Sequence, residues 1–155
     1  MNKTSERIKQ LYESMILDHN RNPRNFRIIE NANYYSHGIN PLCGDDYHVY
    51  LCVDANGMIT DIAFHGSGCA ISKSSGSLMS QTLMGKSIAE ALSIKNAFLN
   101  LISKEELTSA IPALDSKLKI FENIRQFPAR VKCAALAWRA LEDALQDQNK
   151  KVSTE

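Results

Sequence analysis

Three cysteines and an aspartate stand in settings that suit metal or thiol chemistry. The stretch Asn40-Pro41-Leu42-Cys43-Gly44-Asp45-Asp46 packs a thiol and two carboxylates around a glycine, beside a proline-fixed turn. Pro41 fixes its own φ and pushes Asn40 into an extended conformation, while Gly44 permits a bend that lets Cys43 and Asp45 face the same way. Cys69 follows Gly66-Ser67-Gly68, and Cys133 follows Phe127-Pro128-Ala129-Arg130-Val131-Lys132. Together Cys43, Asp45, Cys69 and Cys133 offer three thiolates and a carboxylate. Such a set can close a tetrahedral zinc site, or hold iron while leaving an exchangeable oxygen ligand. No Cys-x-x-Cys pair supports this on spacing alone, and plain burial of the three thiols is the alternative.

Context favours chemistry, since all three thiols are predicted at loops or helix starts rather than within apolar strands. A helix N-terminus stabilises a thiolate, and so does a nearby cation. Cys69 has the first, and Cys133 has a helix start together with Arg130 and Lys132, so both read as ionisable thiols; the bland alternative is that the two cations only solvate a helix end. Asp46 reads as the polar first residue of a strand, and Cys52 as a structural residue within it. A Cys/His hydrolase would draw on His37, His48 or His65 near Cys43 or Cys69, but leaves Asp45 and Cys133 without a task. Gly66-Ser67-Gly68 lacks the third glycine of a dinucleotide loop, and Gly85-Lys86-Ser87 lacks the upstream glycine of a phosphate loop, so nucleotide binding is not expected.

The bulk composition frames these residues. A chain of 155 residues, 44% hydrophobic and 23% charged, suits one domain with a real core. A formal charge of +1 supplies no long-range field to gather nucleic acid or an anionic membrane. The start of the chain is polar and charged, and no apolar run reaches the length of a membrane span. These features predict a cytoplasmic protein, where four cysteines are more consistent with metal, thiol chemistry or burial than with a disulfide framework.

The elements that must position the cysteines follow from periodicity. Ile8, Leu11, Tyr12, Met15, Ile16 and His19 fall at helical spacing over roughly residues 5 to 19, with His19 packed or capping at the end of the stripe and Asn22-Pro23 stopping the helix. Residues 27 to 39 read as a short irregular strand. Tyr47, Val49, Leu51 and Val53 alternate with polar residues as a strand, Asp54-Ala55-Asn56-Gly57 turns the chain, and Met58 to His65 returns antiparallel. In register, this hairpin sets Cys43 to Asp46 beside His65 to Cys69. A helix with a small-residue face then runs from Cys69 to Met84, although Gly76 weakens it by roughly 1 kcal/mol relative to alanine. Ser87-Ile88-Ala89-Glu90 opens a helix reaching about Ile102, and Ser103-Lys104-Glu105-Glu106 opens a short one ended by Pro112. Leu114, Leu118 and Phe121 suggest one more pass, and Pro128 starts a long last helix carrying Cys133.

Three segments resemble the signatures of the NifU N-terminal/IscU family of iron–sulfur cluster assembly proteins: Asn40 to Asp45, Gly66 to Ser72, and Phe127 to Trp138. The likeness extends along nearly the whole chain. Within the family the chain looks most like the SufU branch, because Lys132 stands where other scaffolds carry a histidine ligand and the segment from about Ser103 to Phe127 is longer. Lys73 and Gly76 depart from the small or hydroxyl residues and the alanine usual in relatives.

The resemblance implies an α+β fold, a small antiparallel three-stranded sheet packed on one face by about five helices, as one domain over residues 1–155 with a tail frayed after about 147. It implies a zinc-bound sulfur acceptor that takes persulfide sulfur from a SufS-type cysteine desulfurase and serves downstream cluster-assembly or acceptor proteins. By motif, Cys43, Asp45, Cys69 and Cys133 match the metal positions, Cys43 the sulfur-accepting thiol, and Arg130 a position that helps ligand exchange or partner contact. The chemistry also requires one sulfur to leave the metal before it attacks, because a coordinated thiolate is a poorer nucleophile. The alternatives are a scaffold that builds and transfers a [2Fe–2S] cluster on the same residues, and a structural zinc adaptor.

Overall fold

The alternation that begins at Tyr47 makes an interior strand of a four-stranded sheet. In the computed structural model, which describes residues 3–103, 114–146 and 151–153, β1 spans Tyr34–Asn40, β2 Asp45–Val53, β3 Ile59–Ser67 and β4 Lys151–Ser153. Tyr47, Val49 and Leu51 are buried on one face of β2, while Asp46, His48 and Tyr50 lie half-buried on the other. The β2–β3 hairpin has the expected register, with Tyr47 opposite Gly66 and Asp46 opposite Ser67.

The three antiparallel strands are those the sequence predicts, and β4 is an addition. It pairs parallel to β1 from within the stretch expected to fray, and so occupies backbone groups on the outer edge of β1. The expected strand over 27 to 39 becomes regular only from Tyr34. Upstream, Asn25 takes a left-handed conformation (φ 56°), and Phe26 makes one isolated bridge to Phe64.

Helices α1 (Lys3–Arg21), α2 (Ala70–Leu83), α3 (Ile88–Ile102), α4 (Ser116–Lys119, continuing as a 3-10 turn over Ile120–Ile124) and α5 (Pro128–Gln146) complete the molecule. Helix α5 lies on β1 and β2 and α2 on β3; α1 packs outside α2, and α3 packs on α5. The short helix expected between Ser103 and Pro112 falls on residues 104–113, outside those described. No helix among the described residues is long and apolar enough to cross a membrane.

The small-residue face of α2 is a hydrogen-bonded hub, and this explains how a serine-rich helix can be buried. Ser74 Oγ donates to the Ile16 carbonyl (2.9 Å), and Ser75 Oγ donates to the Ala134 carbonyl (2.6 Å) while accepting from Trp138 Nε1 (3.1 Å). Ser77 Oγ accepts from the Arg24 amide (2.8 Å) and shares a hydrogen bond with His19 Nδ1 (2.6 Å). His19 is therefore the packed histidine that the helix-end position predicts. These hydroxyls tie α2 to α1, to the Arg24 segment that follows it and to α5, so Cys69 at its start is held against both helices. On the other side of α5, Trp138 stacks on Phe98 with centroids 4.7 Å apart, and Lys95 forms a buried ion pair with Glu142.

Candidate metal centre

Each predicted ligand is carried by a different local device. Cys43 sits on the turn joining β1 to β2, where Gly44 has φ +72° and the Cys43 amide donates to the Asn40 carbonyl (3.2 Å). A left-handed residue is required at that corner, and glycine adopts the conformation without a Cβ penalty. Asp45 opens β2 and is buried at 1% exposure, although Cys43 two residues earlier is exposed. Cys69 is the N-cap of α2, its sulfur accepting from the Ser72 amide at 3.4 Å. Cys133 lies in the second turn of α5 and is buried.

The fold gathers these groups. Cys43 Sγ, Cys133 Sγ and a carboxylate oxygen of Asp45 all lie within 4.8 Å of one another. Cys69 joins from the side: its amide donates to Asp45 Oδ1 (3.0 Å), and its sulfur is hydrogen-bonded to that of Cys133. Ser72 Oγ is 3.0 Å from Asp45 Oδ1 and 3.3 Å from the Tyr47 hydroxyl, whose pKa burial pushes up to about 12. Gly68 allows this close approach, since a Cβ there would lie 2.5 Å from Asp45 Oδ1.

The two inner thiols differ in protonation. The hydrogen bond from Cys133, helped by the Ser72 amide and hydroxyl, lowers Cys69 to about 6 against the opposing effect of burial. Cys133 moves the other way, raised by the same hydrogen bond and then by burial. The two thiols are thus driven in opposite directions, Cys69 toward the thiolate and Cys133 toward the thiol. Arg130 and Lys132, read from the sequence either as cations that favour a Cys133 thiolate or as charges that only solvate the helix end, are not among the groups that shift it. Cys133 is in the second turn rather than at the helix end, and Arg130 is exposed with its guanidinium 4.6 Å over the Phe127 ring. No hydrogen bond or ion pair joins Arg130 to the thiols or to Asp45 among the described residues. Cys52 lies on the far face of β2, away from the other three.

The donor set fits a thiophilic divalent metal. Two sulfurs, of Cys43 and Cys133, cluster with an Asp45 oxygen, and Cys69 stands beside them with its amide holding that carboxylate. Asn40 is fully buried, with Nδ2 3.4 Å from Asp45 Oδ2 and 3.8 Å from Cys133 Sγ, while its Oδ1 has no partner among the described residues. Sequence reasoning gave Asn40 only a backbone role before Pro41 and gave Ser72 none. The signals were present, since Asn40 ends a strand next to the turn and Ser72 stands three residues after a capping position.

Comparison with known proteins agrees with this geometry. Residues 11–111 match the NifU-like N terminal domain. The chain is 36% identical over 132 residues to the zinc-dependent sulfurtransferase SufU of Bacillus subtilis, covering 85% of this chain and 87% of that one. It is 37% identical over 150 residues to the iron–sulfur cluster assembly scaffold protein IscU of Thermotoga maritima, covering 94% and 96%. The crystal structure of FiSufU from Fervidobacterium islandicum AW-1, ascribed to iron–sulfur cluster assembly in the SUF system, superposes with a TM-score of 0.78 at 32% identity, over 88% of this chain and 98% of that one.

Proposed function

The chain belongs to the NifU-like N-terminal domain family of iron–sulfur cluster assembly proteins, and from that membership we propose that it is a cytoplasmic, zinc-bound sulfur acceptor working with a SufS-type cysteine desulfurase. The observation that carries this reading is the contrast between Cys43, exposed on its turn, and the buried Asp45 and Cys133 behind it. One thiol of the set can reach a partner while the others stay sheltered.

Cys43, Asp45, Cys69 and Cys133 would hold the zinc. When bound, the metal supplies positive charge that keeps the thiols as thiolates and protects them from oxidation. The transfer itself belongs to Cys43. Its thiolate attacks the outer sulfur of the desulfurase persulfide; a new S–S bond forms at Cys43, the S–S bond on the desulfurase breaks, and the desulfurase cysteine leaves as a thiolate. Asp45, anchored by the Cys69 amide, Ser72 and Asn40, stays with the buried part of the site as the turn moves. Exposed Arg130, on the first turn of α5, is available to meet the desulfurase or assist the change of ligand.

The second reading, a scaffold that assembles and transfers a [2Fe–2S] cluster on the same residues, is favoured by the 37% identity to a relative named an iron–sulfur cluster assembly scaffold protein. Lys132, in the position where other scaffolds of the family carry a histidine, favours the first. Protein purified without oxygen, analysed for metal and visible absorption, then incubated with desulfurase and cysteine and weighed by mass spectrometry, separates them. Tightly held zinc and a sulfur adduct absent from Cys43→Ala are expected. A coloured cluster that passes intact to an apo-protein overturns the transfer reading.

A further inference from the structure

Asp45 and Asp46 are consecutive on β2, so their side chains leave opposite faces of the sheet. Asp45 turns inward to the thiols. Asp46 turns outward into a group that the sulfur chemistry does not use. On that outer face His37 of β1 lies directly opposite His48 of β2, and the two imidazoles stack with centroids 4.1 Å apart. Asp46 Oδ1 is 2.6 Å from His37 Nε2 and 3.9 Å from His48 Nε2. One ligand atom from each of the three residues falls within a 4.8 Å cluster.

From this geometry we propose a second metal site, formed by His37, Asp46 and His48 on the outer face of the sheet, for a divalent first-row transition ion. The ion takes the place of the proton between His37 Nε2 and Asp46 Oδ1, and His48 Nε2 closes on it. Two imidazoles and a carboxylate that leave open positions are the donor class used for such ions, whereas thiolates select softer ones. The two faces of β2 thereby sort metals by chemistry.

Three features beyond proximity support the assignment. The ligands sit on paired antiparallel strands, so their backbones are fixed by the ladder rather than by a loop. Tyr35 Oη is 2.5 Å from His48 Nδ1, the nitrogen remote from the cluster. With Nδ1–H donating to the tyrosine oxygen, Nε2 keeps its lone pair for the ion, the outer hydrogen bond that metal-binding histidines ordinarily have. Burial, and next the neighbouring His37, hold His48 below the usual imidazole range, so fewer protons compete for that nitrogen. His65, opposite His48 on β3, instead lays its ring against Phe26 at 4.8 Å.

The test uses the full, tag-free chain already loaded with zinc, titrated calorimetrically with Ni²⁺, which binds nitrogen and oxygen donors more tightly than Fe²⁺ and is stable in air. Zinc release is followed with an indicator dye, and folding by circular dichroism. A single additional Ni²⁺ is expected, without zinc release. Its affinity should fall at least tenfold in His37→Ala and in His48→Ala, and about 10–100-fold in Tyr35→Phe through loss of the outer hydrogen bond. No binding at millimolar Ni²⁺, or binding unchanged in both correctly folded histidine variants, overturns the proposal.

Discussion

Substituting Gly76 by alanine sets two effects of known size against each other. Within a helix, alanine is favoured over glycine by about 1 kcal/mol. Gly76, however, faces the Phe64 ring, and a Cβ built on it lies 2.9 Å from both Cδ2 and Cε2 and 3.3 Å from Cζ. Ordinary van der Waals contact requires several tenths of an ångström more. The ring has little room to retreat. It is fully buried, with Tyr47 at 5.7 Å and Phe26 at 5.2 Å between centroids, and its own amide and carbonyl are bonded to Asn25 and Arg27. Overpacking of this kind costs about 1–3 kcal/mol, so Gly76→Ala should destabilise by about 1 kcal/mol net, lowering Tm by about 2–4 °C for a chain of this size. Urea unfolding of the metal-free chain measures it, and the cycle with Phe64→Leu isolates the contact: alanine should be tolerated at 76 once the ring is gone. Stabilisation by the full helical preference in the Phe64 background refutes the reasoning.

Other outcomes follow from the same contacts. In metal-free protein, alkylation of Cys69, mapped by mass spectrometry, should rise through a midpoint near pH 6, and Cys133→Ala should move that midpoint toward the ordinary thiol range; an unmoved midpoint removes Cys133 as the cause. Ser75→Ala strands the Trp138 indole N–H in the core and should cost about 1–3 kcal/mol, read by urea unfolding and near-ultraviolet circular dichroism. Burial, then Arg24, lowers His19 below its ordinary 6.5. The unfolded chain therefore takes up that proton first, so the contribution is complete above about pH 6.5 and is lost as pH falls toward and through the folded value. Unfolding free energies at pH 7.5 and 5.5 should differ more in the parent than in His19→Gln. Cys52→Ser should leave metal content unchanged, as its position on the far face of β2 requires.

Where local rules decide the structure, the sequence was readable. The hairpin at Asp54 to Gly57, the Ser87–Glu90 capping box and the placement of Cys69 at a helix start each depend on a few adjacent residues. The meeting of Asp45 with Cys69 followed from strand register for the same reason. What escaped depends on partners distant in the chain. Ser74 and Ser75 look like small packing residues until Ile16 and Ala134 arrive as acceptors, and Cys133 looks ionisable until Cys69 lies beside it. Lys95 has no role visible in the sequence, and its burial on α3 is matched by Glu142, which meets it from α5. Gly76 was read as a helical weakness because helix propensity is local, whereas its reason, the Phe64 ring, is not.

The three antiparallel strands are engaged on both sides. On one side β4 runs beside His37 to Ile39. On the other, Ile59 exchanges backbone hydrogen bonds with Gly85 and Lys86, and Phe64 does so with Asn25 and Arg27, while the Ile62 amide is taken by the Asp61 carboxylate. An open strand edge is a template for a second chain, and pairing of that kind is how sheet proteins begin to aggregate. With these borders occupied by its own chain, β1 and β3 give a neighbouring copy no free ladder along these segments, and a second chain adding there would have to displace pairing that the fold already makes.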